Sequence, residues 1–201
     1  MKLYDGGRAP NPRRVSIYLA EKGIEVEREI VDMGALGHRG ETVSALNPLK
    51  RLPVLELDDG TVLTETIAIC RYFEELHPDP PLFGTTALEK AQVEMWQRRI
   101  EFGLLLQVAN VFRHSHPAMT EWEKPQIAEF AEANRPKVLH FCRFMECALQ
   151  DSPFICGDDF TVADITALVG LDFMKPARLV IPEECTALAD YHQRLRARPS
   201  A

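Results

Sequence analysis

Three short stretches carry side chains whose types and spacing suit the capture of a small charged ligand. In "GGRAPNPRR", Asn11 lies between Pro10 and Pro12, just ahead of a helical pattern set by Val15, Tyr18 and Leu19. A helix N-terminus gathers unpaired N–H groups and partial positive charge, so this turn can hold an anion. Between Gly6 and Arg14 there is no Ser, Thr, Tyr or Cys, so the turn brings no nucleophile of its own. In "LKRLPVLELDDGTVLTET", Pro53 drives Leu52 towards extended backbone. Such a segment can offer N–H and C=O to a peptide, as in strand addition. Glu65 and Thr66 follow at the start of the next helix, where the Thr66 N–H and hydroxyl suit a carboxylate and Glu65 suits an ammonium. The competing reading is that Thr64 and Glu65 only cap that helix.

The elements that must position these residues change period over the first seventy-seven positions. "KLY" is a short strand, and the helix after the proline turn should stop near Gly23. "IEVEREIVD" reads as a second strand, and "MGALGHRGETVSALNP" as irregular or weakly helical. Asp59-Gly60 suits a two-residue type I′ turn joining Val54–Leu57 to Val62–Leu63. Ile69, Cys70, Phe73 and Leu76 then repeat at helical spacing. "HPDPPLFG", from His77 to Gly84, marks a linker placed over 78–87, and everything after it reads as helix. Leu88 to His116 contains no Pro and could form one helix of about 40 Å. Pro125 should open a further segment that Pro136 kinks or divides. Thr161 and Asp164 form a capping box in "GDDFTVADI", with Phe160 and Ile165 as its staple. A last helix, "EECTALADYHQRLRAR", stops at Pro199. The expected fold is therefore an α/β domain over 1–77 and an all-α domain over 88–201.

Composition bounds the function. Of 201 residues, 46% are apolar and 26% charged, the balance of an ordinary globular protein. A net charge of −7 without any Lys/Arg block argues against nucleic acid as a partner. No apolar run approaches a membrane span, and "MKLYDGG" lacks a signal-peptide core, so a cytoplasmic location is expected. The five cysteines are odd in number and never spaced C-x-x-C, which points to neither a disulfide framework nor a metal site. Cys70, Cys142 and Cys147 fall among helical apolar positions and read as small buried hydrophobes.

The stretch "NPLKRLPVLELDDGTVLTETIAI", followed by "RYFEE", resembles the glutathione-binding core of cytosolic glutathione transferases. "GDDFTVADI" resembles the capping segment of the same family's helical domain. The two motifs lie about a hundred residues apart, each in its expected domain. The resemblance is closest to fungal and bacterial members that lack the usual catalytic Tyr, Ser or Cys, in "IYLAEKG", "VLELDDGT" and "VIPEECTAL". It implies a thioredoxin-like first domain, glutathione as co-substrate, a cis bond before Pro53, and a homodimer. It places the γ-glutamyl end of glutathione at Glu65 and Thr66, the peptide contact at Leu52 and Pro53, and the glycine carboxylate near His38 and Arg51. A histidine in a polar loop is otherwise an ordinary solvated group; the forked donors of Arg51 suit a carboxylate.

Such an enzyme must hold the thiol of glutathione as thiolate. Lowering a thiol pKa from about 8.5 by roughly two units requires about 2.7 kcal/mol of preference for the anion. Asn11, through its side-chain amide, is the candidate catalytic donor; its alternative is a helix cap folded onto its own backbone. Similar members carry "TPN" at this turn, and here Ala9 stands in the Thr place. Tyr4 is too early to act as the family's tyrosine, and Ser16 lies inside the helix. His114, in "NVFRHSHP", matches a His-rich patch that in some fungal members holds a catalytic water together with a Ser, whose place here is Ala109. Phe102, Leu106, Val108 and Phe112 could line a pocket for a hydrophobic electrophile or belong to the core. The expected activity is conjugation of glutathione to such electrophiles, a detoxification chemistry. The alternatives are glutathione-dependent reduction of disulfides or peroxides, and a non-catalytic glutathione or hydrophobic-ligand carrier.

Overall fold

The computed structural model describes residues 1–201, and the chain divides into two compact units, one built on Met1–Leu82 and one on Phe83–Pro199. In the first unit, β1 (Lys2–Asp5), β2 (Glu27–Ile30), β3 (Val54–Glu56) and β4 (Val62–Thr64) form one sheet in the order β2-β1-β3-β4. β1 runs parallel to β2 and antiparallel to β3, and β3 runs antiparallel to β4. Leu3 pairs with Leu55 and Tyr4 with Val54, so successive residues alternate between the two faces. Tyr4, Leu52 and Val54 cluster with Val43 of α2 (Glu41–Leu46). Leu3 and Leu55 are fully buried, as are Val15, Tyr18 and Leu19 of α1 (Pro10–Lys22) and Ile69 and Phe73 of α3 (Thr66–Leu76), two helices that pack together.

Helix α1 stops where expected. Gly23 adopts φ 64, and the N–H of Ile24 returns to the Leu19 carbonyl at 2.9 Å, a Schellman closure. The hairpin departs from expectation. Only Gly60 has positive φ, whereas a type I′ turn needs it at both central residues. Gly60 N–H instead closes a turn on the Leu57 carbonyl, and Leu57 N–H bonds to Thr61 across a three-residue loop. The Asp59 carboxylate accepts from the Thr61 N–H at 2.8 Å, which favours this geometry.

The second unit contains α4 (Ala87–Ile100), α5 (Leu106–Ser115), α6 (Ala128–Ala148), α7 (Val162–Met174) and α8 (Thr186–Arg196). A π turn over Glu101–Leu105 joins α4 to α5, so the expected single helix is one run with a widened turn in it. Gly103 within it permits the close approach of α6, because a Cβ there would lie 2.3 Å from the Phe141 ring. Pro136 does not divide α6, which continues through it to Ala148. Helix α7 is buried nearly all round, as a central helix must be. Its N-terminus carries the expected box, with the N–H and hydroxyl of Thr161 donating to Asp164 Oδ2 at 2.8 and 2.9 Å. Phe160 makes its ring contacts with Phe154 and Arg198.

All five cysteines are free; Cys70, Cys142 and Cys185 are buried. Cys147 is exposed, contrary to the reading of its helical position as apolar core. No helix is long and apolar enough to cross a membrane.

Candidate functional site

The proline turn places Asn11 inside α1 rather than ahead of it. Ala9 is the N-cap, without a side-chain capping bond, and Pro10, Asn11 and Pro12 are the first three helical residues. Proline has no N–H, so of the three only Asn11 can donate from its backbone. Its side chain is exposed and does not fold back as a cap: Oδ1 accepts from Nη1 of Arg14 at 3.0 Å, and the NH2 group has no partner in the chain. The loop before it is tied down by Asp5. This buried carboxylate accepts the Gly7 N–H on Oδ1 (2.8 Å), and the Ser16 hydroxyl (3.1 Å) and Arg28 Nη1 (3.2 Å) on Oδ2. Ser16 is thus held by Asp5 and Arg28, and Tyr4 donates to Glu56 at 2.9 Å.

The start of α3 meets the start of α1, with the Thr66 hydroxyl 3.5 Å from the Asn11 carbonyl oxygen. Thr66 is buried, while Glu65 is exposed at φ 69 and makes no side-chain capping bond. The first-turn donors of α3 are therefore not capped by Thr64 or Glu65. The Leu52–Pro53 bond is cis. The N–H and C=O of Leu52 make no backbone hydrogen bond, because the β1–β3 pairing begins at Val54. The preceding loop folds over buried Asn47, whose amide accepts from Leu49 N–H (3.0 Å) and donates to the Arg51 carbonyl (2.9 Å). Arg51 itself is exposed. His38, on a 3-10 turn over Gly37–Arg39, is buried rather than solvated. Burial, and then the positive charges of Arg39 and Arg51, hold its pKa below the ordinary 6.5.

One unit therefore carries Asn11, Leu52, Pro53, Glu65 and Thr66, with His38 and Arg51 on its loops, and brings Asn11 and Thr66 into contact. These groups fit an extended anionic peptide: unpaired main-chain groups at Leu52, open donors at α3, and an amide at α1. Arg14, bonded to Asn11, is a member that the sequence reading did not single out. The signal was present in the spacing of Asn11, Arg14, Tyr18 and Lys22, a polar stripe along one face of α1.

His114 belongs to the second unit and is engaged there. Its Nδ1 accepts the Ile127 N–H at 3.0 Å, which puts the proton of the neutral ring on Nε2, 3.8 Å from Glu123 Oε1. Ser115 donates to its own helix at Val111. Of the four residues considered for an electrophile pocket, Val108 is fully buried and Phe112 packs on His116 and Phe173. Phe102 and Leu106 are exposed. No three His, Cys, Asp or Glu side chains are grouped to hold a metal ion.

Residues 9–76 match the N-terminal domain of glutathione S-transferases, and residues 107–199 match the C-terminal domain. A protein named glutathione S-transferase 2, from Saccharomyces cerevisiae, is 38% identical over all of this chain and 87% of its own length. The chain belongs to the glutathione S-transferase family. Its thioredoxin-like and helical units are the two domains of that family, and glutathione is its co-substrate. Among solved structures, Gtt2 from Saccharomyces cerevisiae superposes with a TM-score of 0.94 at 38% identity, covering 100% of this chain and 98% of that one. A glutathione S-transferase domain-containing protein of Marinobacter aquaeolei gives 0.92 at 36% identity, covering 100% and 99%.

Proposed function

We propose that this transferase conjugates the thiolate of glutathione to small hydrophobic electrophiles, with Asn11 holding the sulfur charged. The observation that carries this reading is the meeting of two helix starts, where the Thr66 hydroxyl of α3 donates to the Asn11 carbonyl of α1 at 3.5 Å and neither start has a side-chain cap. The γ-glutamyl carboxylate takes the Thr66 N–H and hydroxyl, and its ammonium takes Glu65. The cysteinyl residue pairs through its backbone with Leu52 beside Pro53, and Arg51 meets the glycine carboxylate with His38 behind it. That arrangement leaves the sulfur at the Asn11 amide. Attack forms the sulfur–carbon bond, and the electrophile releases its leaving group or takes up a proton after addition.

The energetics are sufficient. With N–H groups missing at Pro10 and Pro12, the helix terminus stays near its ordinary contribution of about 0.3–1 kcal/mol. One hydrogen bond to a charged partner adds about 1.5–3 kcal/mol. Their sum brackets the roughly 2.7 kcal/mol that two pKa units require. The buried thiol of Cys70, pushed up to about 12 by burial, is no redox partner. We assign the enzyme to the cytoplasm and to a homodimer; exposed Met95, Phe102 and Leu106 along the α4–α5 run support an apolar contact between copies.

The decisive experiment measures the pKa of bound glutathione by thiolate absorbance, together with turnover of chlorodinitrobenzene. Asn11→Ala should raise that pKa by about one unit, equivalent to about 1.4 kcal/mol. An unchanged pKa refutes the role of Asn11. Binding without turnover of any electrophile favours a carrier.

A further inference from the structure

The Asn11 amide has two nearly isosteric ends with opposite hydrogen-bonding character, and a thiolate profits from only one of them. Turned one way, the NH2 donates to the sulfur; turned the other, the carbonyl oxygen faces an anion. An exposed amide with no fixed partner also samples rotamers that bond its own backbone. Something must select the productive orientation, and in this structure it is a buried cation.

Arg14 is 2% exposed, an unusual placement for a guanidinium. It lies one turn along α1 from Asn11 and directs Nη1 to Asn11 Oδ1 at 3.0 Å. Guanidinium has five N–H donors, no acceptor, and a charge that does not titrate in the working range. It can bond only the oxygen end of the amide, so it leaves the NH2 end outward at every pH. The stripe continues along the same face, where Tyr18 and Lys22 both bond Glu74 of α3, at 2.5 and 2.6 Å. Cys70 of α3 lies within the electrostatic reach of both Arg14 and Glu74. Arg14 thus sits in a polar seam between α1 and α3 and reaches from it to the turn. A cation on the oxygen of an amide also polarises its N–H bonds and strengthens them as donors.

We infer that Arg14 is a positioning residue of the transferase reaction: its buried guanidinium holds the Asn11 oxygen so that the NH2 is aimed at the bound thiolate. The inference rests on the reading of Asn11 as the thiolate donor, and it assigns to Arg14 an effect on the sulfur without contact with it. The charged and titratable groups around the guanidinium are Cys70 and Glu74 of α3, with Tyr18 and Lys22 of α1 engaged on Glu74.

The test is a cycle of Asn11→Ala, Arg14→Met and the double variant, reading the pKa of bound glutathione and its dissociation constant. Arg14→Met should raise the thiol pKa by about half to one unit while glutathione affinity changes less than about threefold. The double variant should match Asn11→Ala alone, because residues acting through one contact are not additive. Arg14→Lys, which keeps the buried charge but lacks the planar fork, should fall between wild type and Arg14→Met. If Arg14→Met does not fold, the lysine variant carries the cycle. The inference is overturned if Asn11→Ala moves the pKa and the Arg14 variants do not, or if the two effects add. If Asn11→Ala itself leaves the pKa unmoved, the Asn11 reading fails and this inference falls with it.

Discussion

The hydroxyl of Tyr191 donates to Oδ1 of Asp164 across 2.7 Å, and both residues are wholly buried. The same carboxylate accepts the Ile155 N–H at 2.9 Å and two donors from Thr161, so four donors converge on one buried acid. Helix α8, the start of α7 and the loop before it are joined through this single side chain. Tyr191→Phe should lower stability by about 1–3 kcal/mol, the consequence of one lost bond at a buried acceptor. Asp164→Ala strands four donors at once and should have the larger effect, about 3–5 kcal/mol. Urea midpoints of the two variants check the order; equal midpoints would contradict it.

Gly103 sits where a Cβ would meet the Phe141 ring at 2.3 Å. Gly103→Ala should therefore destabilise the helical unit by about 1–3 kcal/mol through overpacking, and Phe141→Leu should recover part of the loss. Thermal unfolding of the single and double variants measures both.

His38 titrates below its ordinary value, so it is neutral at pH 7 and contributes no charge to glutathione binding there. As pH falls below about 6.5, the unfolded chain takes up the proton first, and the stability linked to His38 is lost down through its folded pKa. A carboxylate placed beside the ring opposes that depression, so glutathione binding near pH 6 should take up protons. Calorimetry in buffers of different ionisation enthalpy reads this directly. Arg51→Ala should weaken binding about tenfold or more at pH 7.5, whereas His38→Gln should change it less than about threefold at that pH.

Glu89 closes the first turn of α4, with Oε2 accepting from the Thr85 hydroxyl at 2.6 Å and from the N–H groups of Thr85 and Thr86. These bonds, the Thr85 hydroxyl first, bring its pKa down to about 2. A depressed carboxylate contributes stability above its unfolded value of 4.5, and that contribution disappears as pH falls towards 2. Glu89→Gln should flatten the acid side of the stability profile between those limits. An unchanged profile would show that the cap is already frayed in solution.

The sequence disclosed the parts of this fold that local chemistry decides. Gly23 as a left-handed stop, Thr161 and Asp164 as a box, and the succession of strands and helices were all legible because each rests on neighbouring residues. The hairpin turn was misread because Asp59 could hydrogen-bond to the Thr61 backbone, an option that composition alone does not rank against a type I′ turn. Cys147 was misread because one helical period fits two adjoining faces, and packing chooses between them. The π turn at Glu101–Leu105 has no sequence pattern of its own, and the ring that packs on its Gly103, Phe141, lies nearly forty residues away. Within the candidate site, Leu52 and Pro53 came from a recognisable motif, whereas Arg14 did not stand out in a run that also holds Arg13. Burial distinguishes it, and burial is a property of the assembled helices.

If the proposed conjugation of electrophiles holds, the enzyme risks alkylating itself, and the distribution of its own sulfur bears on that hazard. Burial pushes the thiols of Cys70, Cys142 and Cys156 up to about 12 and raises that of Cys185, which keeps them protonated and sluggish as nucleophiles. Cys147 alone is exposed. Prolonged turnover should therefore leave a single covalent scar, at Cys147 on α6, and peptide mapping of the ageing enzyme would find it. The same asymmetry makes the chain a ready-made single-label protein: a maleimide dye should attach once, without any cysteine having to be engineered away.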